Sequence, residues 1–118
     1  MGNRGNIAIV QDNNPDTSIY FYTHWRGDEV AAVVHQALAK RWRWNDPAYL
    51  ARIIFDVMTE GQSGNETGFG ISTSIQDNEY SIPVVNTDTQ TVTIRGQAWT
   101  FDQFVALTPS EVGVLLYE

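Results

Sequence analysis

Along the first quarter of the chain, apolar positions come in two short β-branched and aromatic runs, "NIAIV" and "SIYFYTHW", divided by the turn-rich "QDNNPDTS". Such runs flanking a Pro/Asn/Asp cluster predict a hairpin of residues 6–10 and 18–25. The period then changes. Val30, Val33, Val34, Ala37 and Leu38 recur at the spacing of one helical stripe, with Asp28 and Glu29 at the positive end of the dipole and Lys40 and Arg41 in the last turn. "NDP" restarts the chain, with Asp46 as N-cap and Pro47 as first helical residue. Leu50, Ile53, Ile54, Val57 and Met58 form a second stripe, and Gly61 is the expected terminator.

Beyond Gly61 the period falls to two. In "TGFGISTSI", Phe69, Ile71, Thr73 and Ile75 alternate with small residues, which predicts a strand. "YSIPVVNTDTQTVTIRG" reads as two strands about the "NTDTQ" turn, with Pro83 at an edge or bulge. "AWTFDQFVAL" carries a capping box, Thr100 with Gln103, and a hydrophobic staple, Trp99 with Phe104, so a short helix is expected there. "TPSE" repeats the cap signature, and "GVLLY" is expected as a closing strand or extended tail. The predicted fold class is α+β: a single mixed or antiparallel sheet of about five strands, an αα-hairpin and a short third helix, in the order ββααβββα.

Length and composition agree with that reading. A chain of 118 residues with 42% hydrophobic content suits one domain spanning 1–118. It has no cysteine, which excludes disulfides and thiolate metal sites. The start lacks the apolar core of a secretory signal, and no apolar run approaches membrane length, so a cytoplasmic protein without a membrane partner is expected.

Charge changes the picture more. The net charge is -7, yet residues 26–52 balance at +2 while the remainder balances at -9. Four of the seven basic residues and two of the four tryptophans fall within "AKRWRWNDPAYLAR". Long nucleic acid needs a wide basic surface, which this chain lacks, so no duplex or long strand is expected as partner. A compact anion fits better. Arg41 and Arg43 can grip phosphate in fork geometry, Trp42 or Trp44 can stack on a base, and Arg52 can point back from the next helix. The competing reading is that both indoles cap the core and the arginines lie over them as cation–π partners.

Other candidates are thinner. In "THWRGDE", His24 and Arg26 stand before a helix start, though Asp28 and Glu29 already occupy its positive field. The alternative there is an ordinary turn with Trp25 packed in the core. Ser72 and Ser74 add small donors on a strand that Gly68 and Gly70 leave open, a face that receives either a ligand or a packed element. No nucleophile elbow surrounds these serines. "GFG" has neither the Walker lysine nor dinucleotide spacing, and His24 and His35 do not form a close metal pair, so neither cofactor nor metal is expected.

"MGNRGNI", "YTHWRG", "WNDPAYLARIIF", "ETGFGIS" and "DNEY" together resemble a group of small uncharacterised proteins of bacteria and their phages. The likeness covers most of the chain, and the combination is more specific than any one piece. It implies no catalytic residue, but its phage association favours a role in conflict between phage and host. Three functions follow as expectations. The first is a binding protein that sequesters a small anionic, nucleotide-like molecule such as a cyclic-nucleotide immune signal, with a site that two subunits of a homo-oligomer can share. The second is a small phosphodiesterase or ring-nuclease-like hydrolase, with His24 as base. The third is an acidic inhibitor of a host protein, or a nucleic-acid mimic, using acids such as Asp77, Glu79 and Asp88.

Overall fold

A computed structural model describes residues 2–116. Its elements are β1 (Gly5–Val10), β2 (Ile19–Thr23), α1 (Val30–Ala39), α2 (Pro47–Thr59), β3 (Phe69–Ser72), β4 (Val84–Asn86), β5 (Thr91–Ile94), β6 (Gln97–Thr100), α3 (Phe101–Val105) and α4 (Pro109–Gly113). The fold is α+β, with one mixed sheet in the order β3-β2-β1-β4-β5-β6. Among the described residues only β1 and β4 run parallel.

The apolar stripes explain the layering. Registered partners Ile7 and Phe21, Ile9 and Val85, and Val85 and Val92 share one face of the sheet. That face packs on Val30, Val33, Val34, Ala37 and Leu38 of α1 and Leu50, Ile53, Ile54 and Met58 of α2. Phe101, Phe104 and Val112 of α3 and α4 complete one continuous core. Asp46 caps α2 by accepting from the backbone N–H of Tyr49, and both predicted capping boxes form. The staple forms too, with the Trp99 and Phe104 rings 5.6 Å apart.

The opposite face of β1 is covered by chain rather than helix. Asn6 is fully buried, and its amide nitrogen divides between the carbonyls of Gln76 and Asp77 and the side chain of Asn78. Its amide oxygen accepts from the backbone N–H of Gln76. The segment after β3 thereby crosses the back of β1 and delivers β4 to its parallel place beside it. Arg4 ties the same segment down: Glu79 accepts from the Arg4 backbone and from its guanidinium, each at 2.9 Å. Those hydrogen bonds hold the Glu79 carboxyl below the ordinary glutamate range. A group with a lowered folded-state value stabilises above its ordinary range and loses that contribution as pH falls through the lowered value. An NMR titration should therefore place Glu79 below a model glutamate in wild type and move it upward in Arg4→Ala. Coincident midpoints would contradict the contact.

Several expectations need correction. The sheet has six strands, because Arg95 (φ 53°) and Gly96 (φ 81°) form a two-residue hairpin turn that returns Gln97–Thr100 alongside β5. Trp99 and Thr100 thus end a strand while stapling and capping a helix. The alternating run after Gly68 yields a strand of four residues, and Ile71 and Ile75 stay exposed. It lies at the sheet edge, and Ser72 accepts from the backbone N–H of Ser74, turning the chain away. Helix α1 stops at Ala39, so Lys40 caps it and Arg41 lies beyond it. Glu60 (φ 46°) takes the left-handed cap ending α2, and the expected Gly61 follows it, also at positive φ (82°). Gly113 closes α4 and residues 114–116 form turns in place of a terminal strand; Tyr117, the last residue of "GVLLY", lies outside the described residues. Among the described residues no helix is long and apolar enough to cross a membrane.

Candidate anion-binding cleft

The loop joining α1 to α2 is built by local capping. Leu38 presents its carbonyl beyond the last helical turn, where it accepts from the backbone N–H of Arg41 and from the Trp44 indole. To make that turn Arg41 adopts φ 58°, the left-handed conformation that helix ends normally assign to glycine. Arg43 repeats it at φ 57°. Each such non-glycine residue costs about 1 kcal/mol. Gln90 secures the loop from the β4–β5 turn by donating to the Asn45 side chain at 2.6 Å.

The two indoles part company here. Trp44 is half-buried and meets Phe101 edge-on, with ring centroids 5.4 Å apart. Trp42 is 58% exposed. Arg41, Trp42, Arg43, Tyr49, Arg52 and Ile53 line an open cleft of about 600 Å³. On the far side of Arg41 and Arg43 a second depression, of about 590 Å³, runs along Trp44, Asn45 and Asp46. The two arginines therefore form a ridge reachable from both flanks.

The cations of this corner are partly engaged. Arg41 pairs with Asp102 at 2.7 Å and lies over Trp44. Arg52 pairs with Asp56 at 2.6 Å along α2. Arg43 lies over Tyr49, 5.0 Å from the ring centre, and forms no ion pair among the described residues. Lys40 lies over Trp42 at 4.8 Å. The cation–π contacts of the packing reading and an open, arginine-lined cleft are thus present together. Both carboxylate partners are themselves more than half exposed, so those pairs are weak and an incoming dianion can compete for them.

Of the nine residues singled out from sequence, Arg41, Trp42, Arg43 and Arg52 share the cleft and Trp44 adjoins it. The remaining four lie elsewhere. Arg26 donates to the carbonyls of Val57 and Met58 and pairs with Glu29 and Glu60, neutralising the C-terminal end of α2. Since α2 has thirteen residues, that end lies about 18 Å from the arginine loop. His24 has its Nδ1 2.8 Å from the Tyr22 hydroxyl, in a separate cleft with Trp25, Thr67 and Gly68. Trp25 is 46% exposed rather than in the core, because its ring lies across Gly68. Ser72 and Ser74 bond to each other and to the Gln76 amide at the sheet edge. Of the two glycines, Gly68 is covered by the Trp25 ring, while Gly70 meets only Tyr22.

Sequence reasoning passed over Tyr49, Ile53 and Asp102. Tyr49 and Ile53 lie one turn apart on α2, a spacing that was available as a signal. Asp102 reaches Arg41 across 61 positions, and nothing local marks that contact. Among the described residues no three His, Asp or Glu side chains converge as a metal-binding group. No protein-family model, curated protein or solved structure matches this chain.

Proposed function

We propose that the α1–α2 loop binds a compact, nucleotide-like anion and holds it without chemical change, as a sequestering protein would. The observation that carries this reading is the arginine ridge. Arg41 and Arg43 stand in left-handed backbone at consecutive odd positions, flanked by Arg52 and by the open ring of Trp42. Strained backbone of this kind tends to gather where side-chain direction matters more than stability. Guanidinium forks supply phosphate recognition, and Trp42 and Tyr49 supply flat apolar surface for a base. The phage-linked resemblance supports a cyclic-nucleotide immune signal as the guest, inside the host cytoplasm.

The hydrolase alternative assigned His24 as base, and that ring lines a separate cleft with Trp25, Thr67 and Gly68 rather than the arginine cleft. The acidic-mimic alternative relied partly on Asp77 and Glu79, which are already paired with Arg4. No specific observation favours either.

The test is a panel of cyclic mononucleotides, cyclic dinucleotides, ADP and inorganic phosphate, read by tryptophan fluorescence and by thermal shift. A ligand at a hundredfold excess over its Kd stabilises by about 2.7 kcal/mol, several degrees in Tm. At least one cyclic nucleotide should bind, be recovered intact by chromatography and lose its effect in Trp42→Ala. No response to any member at millimolar concentration would overturn the reading, and a new product would replace sequestration with turnover.

A further inference from the structure

The far flank of the arginine ridge carries an inference that deepens the nucleotide reading of this cleft and rests on it. Among the described residues lining the two depressions, Asp46 is the one acid, and it stands on the flank with Trp44 and Asn45. A carboxylate is out of place where a phosphate sits, because like charges repel. Asp46 makes no ion pair among the described residues, although Arg41 and Arg43 line the same depression; Arg41 turns to Asp102 instead. The ridge thus separates two kinds of surface. Arg52, Trp42 and Tyr49 offer charge and flat rings on one side, and the polar groups of the other suit an uncharged hydrogen-bond donor.

Both polar side chains of that second flank are held in place by the protein itself. The Asn45 amide oxygen accepts from Gln90 at 2.6 Å. Its amide nitrogen, on the other branch of the same planar group, meets no partner among the described residues and remains a free donor. Asp46 Oδ1 accepts from the Tyr49 backbone N–H at 3.2 Å, as the cap of α2. A carboxylate has about four lone-pair sites, so most of its acceptor capacity stays open. Neighbouring residues therefore offer one amide donor and one anionic acceptor. Guanine matches that set most fully among the bases. Its O6 accepts from an amide, and its N1–H and N2 amino group lie side by side as two donors to one carboxylate. Adenine, cytosine and uracil each bring a single donor group to the same edge.

We propose that the guest of this cleft is a guanine-bearing dinucleotide that straddles the ridge. Its phosphates lie on Arg41 and Arg43, one base stacks at Trp42 and Tyr49, and a guanine enters the second flank. There Asn45 donates to O6 while Asp46 accepts from N1–H and the N2 amino group. Flanks of about 600 and 590 Å³ each fall in the ordinary range for a small-molecule pocket and leave room for two bases. Side chains already fixed by Gln90 and the Tyr49 backbone lose little freedom on binding. A base without the paired donors would strip water from Asp46 and return too few hydrogen bonds, which is how a polar site rejects the wrong guest.

Calorimetric titration of the wild-type chain and Asp46→Asn tests this, with the cyclic dinucleotides of guanine and of adenine, cyclic GMP and cyclic AMP as probes. Asparagine caps a helix about as well as aspartate, so the variant keeps the start of α2 while one carboxylate acceptor becomes a donor. Wild type should bind the guanine dinucleotide about tenfold or more tighter than the adenine one, and tighter than cyclic GMP by a similar factor. Asp46→Asn should weaken the guanine dinucleotide about tenfold and leave the adenine one nearly unchanged. Equal affinity for the two dinucleotides, or cyclic GMP binding as tightly as its dinucleotide, would overturn this inference and leave the nucleotide reading standing. A guanine preference that survives asparagine would do the same. Binding of none of the four overturns this inference, and the nucleotide reading with it if ADP and phosphate are also silent. The base preference of wild type decides the matter even if the variant folds poorly.

Discussion

Gly27→Ala should lower the melting temperature by about 10 °C, the equivalent of roughly 3 kcal/mol in a domain of this size. A Cβ built on Gly27 would lie 2.6 Å from the carbonyl carbon of Arg4, 2.7 Å from its oxygen and 2.8 Å from the Asn3 oxygen. All three are backbone atoms of the segment that leads into β1, so no rotamer change relieves the overlap. Gly5 meets the same constraint from the other side, since its own Cβ would fall 2.7 Å from Gly27 Cα. Here two backbones pass in contact, and the Gly27 N–H donates to Asn3 at 2.7 Å. Asn3 completes the clasp with its side chain, which exchanges hydrogen bonds with Asp28. The junction locks the start of β1 to the turn that opens α1. Calorimetry of the alanine variant measures the effect; an unchanged Tm would mean that the two backbones are further apart than described.

Arg43→Gly should separate stability from binding. Glycine relieves the left-handed strain at φ 57°, while the lost contact with Tyr49 offsets part of that gain. The net change in folding free energy should lie between zero and about 1 kcal/mol in the stabilising direction. Affinity for the nucleotide identified by the panel should fall about tenfold to a hundredfold, the worth of a charged hydrogen bond to phosphate. Arg43→Ala provides the contrast, losing both affinity and stability because alanine keeps the strain. Denaturant melts and fluorescence titrations on the same samples measure both quantities. Unchanged affinity in both variants would remove Arg43 from the site.

Much of the candidate cleft was legible because it is local. Lys40, Arg41, Trp42, Arg43 and Arg52 lie within thirteen positions, and the Asp46–Pro47 signature predicts that the chain reverses between them. A short helical hairpin leaves such residues few places to go but one corner. His24, Arg26, Ser72 and Ser74 were harder, since their worth as ligands depends on which partners reach them first. Arg26 is taken by carbonyls 31 and 32 positions away, and the serines by each other and Gln76.

The same division runs through the fold. Stripe spacing, caps and turn residues determined the two long helices, the opening hairpin, the strands about "NTDTQ" and the short helix at Thr100, because each depends on residues a few positions apart. Other features were decided only in three dimensions: Asn6 holding the returning segment 76–78, β4 parallel to β1, and Trp25 over Gly68. Periodicity could not rank Ile71 as exposed either, since the alternation that suits a half-buried strand also suits one with no neighbour on its outer side. Local patterns report what a segment can bury; which segment arrives to bury it is settled by contacts among distant residues, and no short window of sequence contains both halves of such a contact.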